Sequence, residues 1–150
     1  RAAGERGVGL VLDMSGMSQV HEPRGRTVRV GAGATMRQLL DSLRGTGLQP
    51  GVVPVYGNVV IGGISSTPFY DSSIANGGRH SEFSTDVVEY RLVLADGSLM
   101  TVDGEGSNKD MLYFLRTHQG LLGIVCQVTL RLYPAQSHQV RFKAEQISAI

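Results

Sequence analysis

The sequence has no tryptophan, one cysteine, an aromatic fraction of 6% and almost no charge imbalance, with 14 Lys and Arg against 13 Asp and Glu. Each shortage excludes something. The lone Cys126 cannot close an internal disulfide or build a cysteine-rich zinc site. A net charge of +1 offers no field for nucleic acid or an anionic membrane to read, and scattered aromatics give bases no platform for stacking. No apolar run approaches the roughly 20 residues of a membrane span, and the first residues hold no secretory core. Neither nucleic acid nor a membrane is therefore expected as a partner, and no compartment is assigned. His21, His80, His118 and His138 are far apart and lack ligand spacing, so no metal site is expected. Gly-Lys-Ser/Thr and Gly-x-Ser-x-Gly are both absent, which leaves P-loop and α/β-hydrolase chemistry without an anchor.

What remains is a chain of 150 residues, 41% hydrophobic and 18% charged, enough for one ordinary domain. Its first residue is Arg1 and not Met, which reads as a processed or excised piece. Val8 to Asp13 and Thr27 to Val30 read as strands. Thr35-Met36-Arg37-Gln38 is a capping box, followed by an apolar stripe of Met36, Leu39, Leu40 and Leu43, with Gly45 or Gly47 as the stop. Val87 to Leu94 and Ser98 to Val102 flank Asp96-Gly97 as a hairpin. Ser107 to Thr117 predicts a short helix, Ile124 to Tyr133 a strand and Val140 to Lys143 a last strand. Alternation along Ile124 to Leu132 puts Ile124, Cys126, Val128, Leu130 and Leu132 on one buried face, where Cys126 is a packing residue and not a nucleophile. The class is α+β, with a mixed sheet and flanking helices.

Glycine is in excess, at 20 residues against an average near 7%. Val28 to Met36 begins like a dinucleotide fingerprint, but Met36 stands where a third glycine belongs and no acid follows at the usual distance, so a Rossmann site is not expected. Leu48 to Ser81 shows little periodicity, and a stretch this long inside a domain usually carries function. It contains Gly57-Asn58-Val59-Val60-Ile61-Gly62-Gly63-Ile64-Ser65-Ser66-Thr67, with Ser72-Ser73 just beyond. Glycines there allow two readings. Successive amides can form an anion-binding concavity, with Ser and Thr hydroxyls as further donors, or Gly62-Gly63 can be a tight turn at a close packing contact.

Four segments in order carry a resemblance: Val28 to Thr35, Ile61-Gly62-Gly63, Val87 to Gly97, and Gln119-Gly120-Leu121-Leu122-Gly123-Ile124-Val125. Together they resemble the FAD-binding domain of the vanillyl-alcohol oxidase and p-cresol methylhydroxylase superfamily. Ser72-Ser73, Leu92 to Ser98 and Ser107 to Tyr113 resemble its sterol Δ24-reductase (seladin-type) branch. The resemblance implies a second α+β subdomain of a bipartite FAD domain, with the N-terminal pyrophosphate-loop subdomain and the C-terminal substrate cap outside this chain. It implies FAD as cofactor, with Val60, Ile61, Gly62, Gly63, Ser65 and Ser66 lining flavin and pyrophosphate. Ser72 and Ser73 would bond phosphate or ribityl oxygens, and Gly123, Ile124 and Val125 would close from the strand side. The implied activity is hydride transfer between a small-molecule substrate and flavin N5, with the catalytic residues unassigned. Ser66 to Tyr70 and His80-Ser81 depart from the family pattern. They motivate the alternative of a non-catalytic flavin-fold module for partner binding or assembly. His80 lies outside the usual flavin-anchoring motifs and is read as a loop histidine.

Overall fold

The computed structural model describes residues 11–70 and 82–137. Its frame is a five-stranded sheet from β1 (Thr27–Gly31), β2 (Leu48–Pro50), β3 (Val87–Val93), β4 (Leu99–Asp103) and β5 (Ile124–Pro134). The order is β1-β5-β3-β4, with β2 on the far end of β5. The class is α+β as expected. Every described strand pairing is antiparallel, however, where a mixed sheet was expected. Antiparallel neighbours need only turns between them, and the β3–β4 turn shows why this sequence supplies one. Asp96 Oδ1 accepts from the Ser98 amide at 2.9 Å and its hydroxyl at 2.6 Å, while Gly97 takes φ +84°. Those two bonds hold the exposed Asp96 carboxyl below the usual carboxylate range.

Three short helices join the strands: α1 (Met36–Ser42), α2 (Ile61–Ser65) and α3 (Met111–Leu115). The capping box of α1 forms in both directions, with Gln38 N–H donating to Thr35 Oγ1 at 3.2 Å and Thr35 N–H to Gln38 Oε1 at 2.8 Å. Met36, Leu39 and Leu43 are buried from the apolar stripe. The Ser107–Thr117 helix shortens to α3, because Ser107 caps nothing in it and Asp103 Oδ1 instead takes the Glu105 and Gly106 amides. Residues 11–13 form no strand, and the chain turns through a 3-10 helix at Ser15–Met17. The rest of that first strand and all of Val140 to Lys143 lie outside the described residues.

The largest correction concerns β5. Val128, Leu130 and Leu132 are buried as the alternation requires, but Ile124 is exposed, Cys126 is half-buried and Val125 faces inward. Register explains it. Arg91 pairs with Gln127 and Leu92 with Val125, so Cys126 is an extra residue opposite nothing, a β-bulge that inverts the facing of everything before it. A second register shift, at Val88, lets both Val87 and Tyr90 point inward on β3.

Candidate functional site

The inverted end of β5 forms one wall of a cavity of about 420 Å³. Ile124, Val125 and Gly123 stand on that side, and Val60, Gly62, Gly63 and Ser66 on the side of α2. Seven of the residues singled out in the sequence thus meet around one space. Ile61 and Ser65 are wholly buried behind it, in the core beneath α2. Ser72, Ser73 and His80 lie outside the described residues. Met14, Ala32, Thr67, His118, Gln119 and Gly120 complete the wall. Of these, Ala32, Thr67, Gln119 and Gly120 lie in segments that the sequence had marked, whereas Met14 and His118 do not.

The backbone ladder that places α2 is continuous with β1. Met36 N–H donates to Val59 O at 2.9 Å, Ile61 N–H to Ala34 O at 2.8 Å and Gly62 N–H to Ala32 O at 2.8 Å. Ala32 N–H in turn donates to Cys126 O at 2.8 Å, which ties this segment to the bulge. Those bonds decide between the two readings of Gly62-Gly63 in favour of a close packing contact. The Gly62 amide is taken by Ala32 and the Gly63 amide by Val60 O at 3.1 Å, so neither is available to cradle an anion. The glycines act through their missing side chains. A Cβ on Gly62 would stand 2.8 Å from Ala32 Cβ, whereas one on Gly63 would meet nothing within 4 Å. Gly31 and Gly33 are close-packing glycines too: a Cβ on either would collide with the Met17 or Met14 carbonyl.

Three carbonyls at the C-terminal end of α2, those of Gly62, Gly63 and Ser65, are also engaged, which answers the need of a helix end at a buried site. Ser65 and Ser66 hydroxyls donate to Gly62 O at 3.1 and 2.9 Å, and the Thr67 hydroxyl to Gly63 O at 3.0 Å. These hydroxyls point back into their own helix and are not the free donors that the sequence suggested. Tyr90 O–H, reaching up from β3, donates to Ser65 O at 2.5 Å. Burial pushes the Tyr90 phenol well above its usual range, so it stays protonated and keeps donating.

Residues 118–123 dock on this end, since Gln119 N–H donates to Ser66 O at 2.9 Å. The loop depends on positive φ at Gln119 (50°), Gly120 (82°) and Gly123 (146°). At Gly123 a Cβ would also lie 2.6 Å from Val93 O, so only glycine lets the loop enter β5 here. The His118 ring is buried and braces the turn, with Nδ1 accepting from Gly120 N–H at 3.2 Å and Leu122 N–H at 3.4 Å. Burial also lowers its pKa, so the ring is neutral. The cavity therefore has apolar faces (Val60, Ile124, Val125), glycine openings and few uncommitted polar groups. Its volume lies within the roughly 300–1,000 Å³ of small-molecule sites.

Comparison with known proteins shows the family and the fold. A family described as "FAD binding domain" matches residues 2–103. Decaprenylphosphoryl-beta-D-ribose oxidase of Mycolicibacterium smegmatis is 26% identical over 135 residues, 89% of this chain and 29% of that protein. L-gulonolactone oxidase of Mus musculus is 29% identical over 128 residues, 84% of this chain and 28% of its own length. The chain thus spans under a third of the length of these relatives. Among solved structures, 6-hydroxy-D-nicotine oxidase from Arthrobacter nicotinovorans has a similar fold, with a TM-score of 0.70 and 22% identity over 84% of this chain and 27% of that one.

Proposed function

The chain belongs to the FAD binding domain family of the vanillyl-alcohol oxidase and p-cresol methylhydroxylase flavoproteins, and from that premise we propose that it is the part of an FAD-linked oxidoreductase that seats the flavin cofactor between α2 and the start of β5. The single observation that carries the reading is the cavity itself, where two family segments far apart in sequence meet face to face. The residues present fit a flat, mostly apolar ligand with polar edges. Val60, Ile124 and Val125 offer apolar surfaces for a ring system, and Gly63 leaves open a space that any side chain would fill.

FAD, when bound, supplies the flavin N5 that exchanges a hydride with a substrate carbon. The chain's own part is to hold the cofactor and keep water from one of its faces. The ladder from β1 fixes α2, the bulge presents Ile124, and His118 braces the loop between them. The relatives include oxidases and a dehydrogenase, and oxidoreduction of a small molecule is the activity proposed for the whole protein. Within that activity, Leu92 to Ser98 and Ser107 to Tyr113 support the narrower reading of a sterol Δ24-reductase-like enzyme.

The full-length protein should purify with flavin absorbance near one FAD per chain, or take FAD up saturably after its removal. Its flavin spectrum should bleach anaerobically with a reducing substrate, and a panel containing Δ24-sterols with NADPH separates the narrow reading from the broad one. A full-length protein that neither carries nor takes up FAD overturns the proposal.

A further inference from the structure

His118 is the most deeply buried polar side chain on the cavity wall, at 5% exposure. Its two nitrogens differ. Nδ1 accepts two backbone N–H groups, from Gly120 and Leu122, and so carries no proton. The ring proton is then on Nε2, and Nε2 is buried with no hydrogen-bond partner among the described residues. Native proteins rarely leave such a donor unanswered, and the exceptions call for a cause. The other hydroxyls on the wall do not share this state, because Ser66 and Thr67 already donate to Gly62 and Gly63 carbonyls.

We propose that His118 is a cofactor-binding residue, whose neutral Nε2–H donates to an oxygen acceptor of the FAD held in this cavity while its Nδ1 keeps residues 120–122 folded around it. The inference rests on the flavin reading above and adds a residue, a tautomer and a bond to it. The acceptor is either a diphosphate oxygen or an oxygen of the flavin half. A neutral donor suits both, because it needs no counter-charge in a site walled by Val60, Ile124 and Val125.

The test compares full-length wild type with His118→Asn. Asparagine Oδ1 takes the place of Nδ1 and keeps the loop's acceptor, but nothing replaces Nε2–H. After removal of flavin, H118N should keep the wild-type circular dichroism and bind FAD about tenfold more weakly, the size of one lost hydrogen bond to a buried donor. ADP as a second probe locates the acceptor. An equal loss with ADP places it on the diphosphate, and a loss confined to FAD places it on the flavin half. Independently, the wild-type His118 imidazole should show the Nε2–H tautomer by 15N NMR, with the Nε2 proton moving downfield when FAD is added. This second readout decides the matter if H118N fails to fold. Unchanged FAD affinity in folded H118N, or an Nε2 resonance indifferent to FAD, overturns the inference and leaves the flavin reading intact. A wild-type protein that binds neither FAD nor ADP overturns both.

Discussion

Gly62 and Gly63 are neighbours in one short helix, yet they should respond oppositely to the same added methyl. Replacing glycine by alanine in a helix gains up to about 1 kcal/mol of backbone propensity, and neither position has the positive φ that would forbid it. That gain is common to both, so the difference between the variants isolates what the new Cβ meets. At Gly62 it meets Ala32 Cβ at 2.8 Å, roughly 0.6 Å inside the 3.4 Å at which ordinary contact begins, and Ala32 O at 3.0 Å. Ala32 cannot retreat, since its amide is bonded to Cys126 O and its carbonyl to the Gly62 amide itself. Overpacking of this kind costs about 1–3 kcal/mol. At Gly63 nothing lies within 4 Å. G62A should therefore melt below G63A by about 2–4 °C for each kcal/mol of that difference. G63A should match or exceed wild-type stability while binding FAD at least about tenfold more weakly, because its methyl enters the cavity. Differential scanning calorimetry and FAD titration on the same three proteins give both numbers. A G62A protein that melts at or above G63A would refute the packing argument. A G63A protein with wild-type affinity would show that the cofactor does not meet this face of α2.

Three further outcomes follow from the same geometry. Tyr90→Phe removes the O–H that answers Ser65 O and leaves a buried carbonyl without that donor; urea unfolding should show a loss of about 1–2 kcal/mol, and a loss below 0.3 kcal/mol would contradict the bond. Gly123→Ala forces a side chain onto φ +146° and against Val93 O; it should cost at least about 2 kcal/mol, read as a fall in melting temperature. The folded pKa of His118 lies below the unfolded value of 6.5, so the unfolded chain binds the extra proton first as pH falls. The His118 contribution is complete above about pH 7 and declines below pH 6.5, by at most about 1.4 kcal/mol per pH unit. Urea unfolding of wild type should show this slope between pH 6.5 and 5, and H118N should show correspondingly less. Equal slopes would mean that the ring is as easily protonated folded as unfolded.

Local chemistry made much of this fold readable. The Thr35–Gln38 box and the Asp96-Gly97 turn are short-range devices complete within a few residues, and both form as their sequences specify. The Cys126 bulge was not readable, because it exists only in the pairing with Leu92 and leaves no mark on the sequence of β5. For the candidate site, the segments 60–66 and 123–125 were legible in the sequence and meet at one cavity, but the state of their polar groups was not legible. Amides at Gly62 and Gly63 look free in a sequence and are claimed by Ala32 and Val60 in space. His118 was set aside with the other histidines for a similar reason: neither spacing nor periodicity marks it, and its place in the turn comes from backbone amides that curl back over its own ring. The one available hint was Gly120 two residues on, a residue suited to left-handed backbone.

The bulge at Cys126 divides β5 into two stretches that answer to different constraints. From Val128 onward, a substitution is judged by whether the sheet still packs. Before the bulge, Ile124 is judged by whatever occupies the cavity. Because the extra residue absorbs the change of phase, the side chain at 124 can be exchanged without repacking Val128, Leu130 or Leu132. A family built on this strand could retune its ligand at one end while inheriting its stability unchanged from the other, and deleting Cys126 would abolish that independence in a single step.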